Sequence, residues 1–179
     1  MAEELLSRKD VKKELTWDLT LIYKDEAALM ADADRLEKLT GEIESLYKGK
    51  LGSAETVNKC LDEYREAVGI ITLIGNYCEL ATSVDYYDTH NMELAGKMNR
   101  KLSECMSRLS FIDSELAVQD NAVIEEAVNS SEANANYLKD VLRGKPHLLN
   151  PETERVLTAL SQTTGAPYEI YNKLDRVIY

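Results

Sequence analysis

The sequence predicts an all-α fold, a helical bundle built on a long antiparallel helix hairpin with additional shorter helices. Three observations carry this. Apolar residues recur at steps of three and four, as in Val57, Leu61, Tyr64, Val68, Ile71, Ile74, Cys78, Ala81 and Val84, which is the spacing of one helix face. Capping and stop residues fall where these stripes begin and end, and no strand pattern interrupts them. The stretch from Val68 to Gly75 has no charge and is apolar on every helical face, so it is expected to be buried on all sides.

Length and composition set the frame. A chain of 179 residues, 44% hydrophobic and without a long Pro/Gly/Ser-rich linker, is long enough for one domain with a sizeable core. Its 32 acidic against 21 basic residues give a formal charge of -11. That field repels phosphate backbones and anionic lipid surfaces, so nucleic acid and membranes are not expected partners. Cys60, Cys78 and Cys105 are odd in number and far apart, which suits buried, reduced thiols in a cytoplasmic protein better than a disulfide framework or a zinc knuckle. The first ten residues carry charges where a signal peptide needs an apolar core, so no secretion is expected. The window from Val68 to Val84 contains Asn76 and Glu79 and is short for a membrane span.

Taken in order, residues 1–24 read as a partly extended arm, with Trp17 as its anchor on the helical body. Residues 25–179 read as the helical domain. Asp25 is the expected N-cap of a first helix whose stripe, Leu29, Ala33, Leu36, Leu39, Ile43 and Leu46, ends before Gly49. Ser53 caps a central helix from about Ala54 to Tyr87. After the polar turn Asp85 to Asn91, a third helix runs from about Met92 to Leu116, with Leu94, Met98, Leu102, Cys105, Leu109, Ile112 and Leu116 on one face. Shorter helices follow at about Asn121–Val128, Glu132–Arg143, stopped by Gly144 with Pro146 beyond, and Pro151–Thr164, capped by Asn150. Gly165-Ala166-Pro167 is expected to end that helix, and Tyr168–Val177 to form one more.

Chemistry-bearing residues are scarce. The chain has two histidines, His90 and His147, and lacks the His-Glu-x-x-His pattern that sets two imidazoles and a general base around zinc. His90 lies near Asp85 and Asp88, at a predicted turn where such residues cap helices and face water; a metal site and a Ser/His/Asp relay are the sharper alternatives. His147 follows a helix stop and is expected to make a structural hydrogen bond. Gly49-Lys50 is followed by Leu51 where a phosphate loop needs Ser or Thr. Asn129-Ser130-Ser131 matches a glycosylation sequon that a cytoplasmic protein would not use. Tyr64, Tyr77, Tyr86 and Tyr87 read as core or core-edge packing, with a peptide-binding wall as the alternative. No catalytic, cofactor-binding or metal residue is assigned.

Several landmarks occur together in a fixed order: Thr16-Trp17-Asp18-Leu19 leading to Ile22-Tyr23, Tyr47 to Leu51, Tyr77 to Asn91, Ser110 to Leu116, and Tyr137 to Leu148. In that order the chain resembles the amino-terminal part of oligoendopeptidase F, a zinc metallopeptidase family related to thimet oligopeptidase. The resemblance implies a largely helical region that contributes to the wall of a substrate cavity. It also implies oligopeptide substrates, zinc bound outside this chain, and a catalytic domain absent from it. None of the family's zinc-binding residues has a counterpart here, so no site residue is carried over. The rival readings are an acidic helical module that binds a peptide or partner helix, and a small hydrolase built around His90.

Overall fold

The computed structural model describes residues 11–84 and 88–148 throughout, and beyond them residues 153, 156, 157, 160, 163–168, 170 and 171. The described residues are all-α: six helices up to Gly144, short 3-10 turns and further helical residues from 153 on, with no strand among them. The helices are α1 (Glu26–Tyr47), α2 (Ala54–Ser83), α3 (Thr89–Leu109), α4 (Phe111–Val118), α5 (Asn121–Ser130) and α6 (Glu132–Gly144). By compactness the chain divides into two units, Met1–Val141 and Leu142–Tyr179.

In the first unit α1, α2 and α3 all pack on one another, and α5 packs on α2. Their starts are set by short polar side chains that accept from otherwise unpaired first-turn N–H groups. Asp25 accepts from Ala28 at 2.8 Å, Ser53 from Thr56 at 3.2 Å, and Asp88 from Asn91 at 3.0 Å. The core holds Leu29, Leu36 and Ile43 of α1, Val57 and Ile74 of α2, and Met98 of α3, all fully buried. Ile112 and Leu116 of α4, Ile124 of α5 and Leu138 of α6 extend it.

Between α1 and α2 the chain turns through Gly49, whose φ of 76° lies in the left-handed region that glycine occupies without strain. The turn is fastened from a distance. The Gly49 N–H donates to Glu115 of α4 at 2.6 Å, and the Gln119 side-chain amide donates to the Leu51 carbonyl. Leu51 itself is buried.

Several expectations fail for identifiable reasons. Trp17 is 60% exposed, whereas Tyr23 is 6% exposed. The tyrosine holds the arm because its hydroxyl donates to Asp32 at 3.0 Å and its ring meets Tyr77 edge-on at 5.7 Å. Leu46 is exposed because Tyr47 takes the last buried position of α1 and donates to Glu63 at 2.6 Å. The third helix is two helices, broken at Ser110, whose hydroxyl and N–H both turn back to the Ser107 carbonyl. Just past the break, the sequence neighbours Phe111 and Ile112 are both buried.

The uncharged stretch of α2 is not enclosed. Ile70 and Ile74 are buried, but Val68 is 38% exposed and Leu73 is also exposed. The buried face is centred on Val57, Cys60, Ala67, Ile70, Ile74 and Cys78, so the predicted stripe through Val68 and Ile71 is displaced towards its edge. Helix α2 ends at Ser83, and residues 85–87 lie outside the described ones.

In the second unit a 3-10 turn, Lys145–His147, follows the end of α6, with Pro146 in its first positions. Residues 163–168 are helical, so Gly165-Ala166-Pro167 does not end a helix there. A proline removes one helical hydrogen bond and bends the chain, a cost that does not by itself forbid helix. The expected cap Asn150, Pro151 and residues 172–177 lie outside the described residues.

Candidate functional site

The residues singled out for chemistry do not converge. Asp88 caps α3, accepting from both the backbone and the side-chain nitrogen of Asn91. His90, two residues on, pairs through Nε2 with Glu26 of α1 at 3.1 Å, and both side chains are largely in water. This ties the start of α3 to the start of α1. His147 is exposed in the second unit. Among the described residues, no group of three or more His, Cys, Asp or Glu side chains is arranged to hold a metal ion.

The potential nucleophiles are held protonated. Burial pushes the Cys60 thiol up to about 12, helped by the nearby Glu63 and Glu115 carboxylates, and burial pushes Cys78 up to about 11. A thiol is reactive as thiolate, so these serve as small core side chains. Tyr47 is raised to about 12 by burial and by its bond to Glu63. Lys50 donates to the Ser45 carbonyl, and the Gly49 turn is occupied by Glu115; a carboxylate sits where a phosphate loop would hold an anion. Ser130 and Ser131 of the sequon serve the α5–α6 junction, Ser130 accepting from Asn58 at 3.1 Å and Ser131 from the Asn134 N–H at 3.4 Å.

What the fold does assemble is a tyrosine-rimmed groove. Tyr64 of α2 and Tyr137 of α6 lie 6.2 Å apart, ring centre to ring centre. The Tyr137 hydroxyl donates to Asp113 of α4 at 2.6 Å. Burial, that hydrogen bond and the Asp113 charge hold the phenol strongly in its neutral form; burial does the same for Tyr64, with a smaller push from Asp113. A groove of about 350 Å³ is lined by Tyr64, Val68, Ile71, Met106 and Asp113. A smaller hollow of about 150 Å³ between α2 and α6 shares Tyr64 and Val68 with it. The sequence marked Tyr64 as packing or wall; it gave no sign of Tyr137 and Asp113 as its neighbours, because that contact joins three helices.

Behind the groove, α6 is clamped to α2 by buried Asn134. Its side-chain nitrogen donates to the Asn58 side-chain oxygen at 3.0 Å and to Asp62 at 3.2 Å, while its oxygen accepts from Arg65. Asn58 in turn donates to the Ala127 carbonyl of α5 at 3.0 Å. Such an arrangement can bind and position, since it offers stacking faces, an apolar floor and one carboxylate. It has no activated nucleophile.

Residues 115–176 match the amino-terminal peptidase M3 family model described as Oligopeptidase F. Over 173 residues, 94% of the chain, it is 21% identical to "Oligoendopeptidase F, plasmid" of Lactococcus lactis subsp. cremoris. The same identity and coverage hold for "Oligoendopeptidase F homolog" of Lactococcus lactis subsp. lactis. The chain spans 29% of the length of each of these relatives. No solved structure matches it.

Proposed function

We propose, from the premise that this chain is related to the amino-terminal region of oligoendopeptidase F, that its helices form part of the substrate-cavity wall of a zinc metallopeptidase that hydrolyses short peptides. The observation that carries this reading is the coverage: 94% of the chain aligns with 29% of each relative. This coverage supports reading the helices as one portion of a longer peptidase. Residues 1–24 serve as the arm and 25–179 as the helical domain, with the catalytic domain supplied by polypeptide outside this chain. The cytoplasm is the compartment that suits three buried, free thiols.

Among the described residues, no group of three or more His, Cys, Asp or Glu side chains is arranged to hold zinc. No step of the hydrolysis is assigned here. The role is exclusion, for which the clamped helices are suited: they keep a fixed outline that flexible oligopeptides pass and folded proteins do not. The test is the product of the whole gene, offered quenched-fluorescence oligopeptides of about ten residues and a folded protein containing the same cleavable sequence. Cleavage of the oligopeptides alone is expected; equal cleavage of both substrates contradicts a restricting wall.

The groove at Tyr64, beside the smaller hollow between Tyr64 and Tyr137, favours a second reading, an acidic helical module that binds a peptide or partner helix. It predicts saturable binding of an amphipathic peptide by the 179-residue chain in the absence of any other domain.

A further inference from the structure

On the α2–α3 side of the three-helix core, the groove at Tyr64, Val68, Ile71 and Met106 is followed along the same two helices by a second hollow. That hollow, about 530 Å³, is lined by Thr72, Gly75, Thr82, Ala95 and Asn99, among others. From Tyr64 to Thr82 the seam follows α2 for ~27 Å at 1.5 Å per residue. Its charged lining residues are Asp113 in the first hollow and Glu79 in the second. The first hollow is apolar apart from Ser110 and Asp113, with Val68 38% and Met106 58% exposed, while the second is mostly polar through Thr72, Asn76, Thr82 and Asn99; exposed apolar surface with a polar margin marks a docking site. Small side chains at Gly75, Thr72 and Ala95 allow close approach of another backbone.

We infer that this seam is the docking face for an amphipathic helix from the polypeptide that, in the relatives, lies outside the matched portion. The inference rests on the reading of the chain as one lobe of a longer peptidase. Two observations choose this occupant. The relatives carry 71% of their length beyond the match (100 − 29), enough to supply it. A second copy of the same face would oppose carboxylate to carboxylate, since Asp113 and Glu79 are the seam's only charged lining residues and the chain carries -11 overall. The fitting partner is about 18 residues of helix at that rise, apolar where it meets Val68, Ile71 and Met106 and polar where it meets Thr72, Asn76 and Asn99, with Lys or Arg placed to meet the two carboxylates.

Met106→Glu and Asn99→Lys test this, each made both in the 179-residue chain and in the product of the whole gene. Both positions are exposed here, so the melting temperature of the short chain is expected to move by less than about 2 °C. In the whole product Met106→Glu is expected to lower it by about 5 °C or more and to let a protease release the lobe intact. Equally small effects in both backgrounds, with peptidase activity present in the whole product, overturn the docking face and leave the lobe reading standing. A short chain that is a stable dimer, dissociated by Met106→Glu, assigns the face to a second copy and also overturns it. A gene that ends at Tyr179 removes the lobe reading itself.

Discussion

The Tyr137 hydroxyl donates to the Asp113 carboxylate at 2.6 Å, joining α6 to α4 beside the ring of Tyr64. This contact fixes one end of the groove. Tyr137→Phe removes the donor and little volume, and is expected to cost about 1 kcal/mol in denaturant unfolding, with the helix content unchanged.

The same phenols set an alkaline limit. Tyr47 is raised to about 12, and Tyr23 and Tyr137 are also raised. An unfolded tyrosine loses its proton near pH 10, so above that pH the unfolded state holds fewer protons than the folded one and stability falls. It is fully present below about pH 10 and is lost as pH rises through the folded value of about 12 for Tyr47. Denaturant unfolding at pH 8, 10 and 11 measures the decline, and Tyr47→Phe is expected to make it shallower.

Asn134 is the polar centre of the α2–α5–α6 junction, buried with its nitrogen and oxygen both paired. Asn134→Leu leaves the partners Asn58, Asp62 and Arg65 without it and is expected to destabilise by about 2 kcal/mol. Hydrogen exchange should show the loss concentrated in α6 and α5.

The arm separates two aromatic residues that look alike in sequence. Tyr23→Ala removes a buried ring, its bond to Asp32 and its edge contact with Tyr77, at an expected cost of about 3 kcal/mol. Trp17→Ala, at an exposed position, is expected to change stability by less than about 0.5 kcal/mol. Thermal melts of the two variants side by side distinguish them.

Cys60, Cys78 and Cys105 are all buried. The account expects slow labelling by an aromatic disulfide reagent in the folded protein and three rapid equivalents in denaturant. Fast labelling of Cys60 or Cys78 in the native state would contradict their inert role.

How far the sequence revealed this molecule depended on whether a feature was local. Asp25 and Ser53 cap helices because their side chains reach only three residues along the chain, a relation visible in the letters; Asp88 does the same for α3, which starts three residues before the expected Met92. The buried stripe of α3 and α4, from Leu94 to Leu116, was legible for the same reason. The break at Ser110 was not, since the apolar period continues across it. Trp17 and Val68 were misplaced because their burial depends on whether another element lies over them. Hydrophobicity states what a side chain favours, and only the arrangement of neighbours decides what it gets. Gly49 and Glu115, 66 positions apart, and the Tyr64, Asp113 and Tyr137 contact belong to tertiary structure, so no short motif announces them.

In the proposed division of labour these helices shape a cavity while zinc and the hydrolytic residues lie elsewhere. The most direct measurement is zinc content together with turnover of a quenched-fluorescence oligopeptide, for the purified 179-residue chain beside the product of the whole gene. About one zinc per chain and cleavage are expected for the whole product, and neither for the short chain. One tightly held zinc in the short chain with matching peptide cleavage would contradict it.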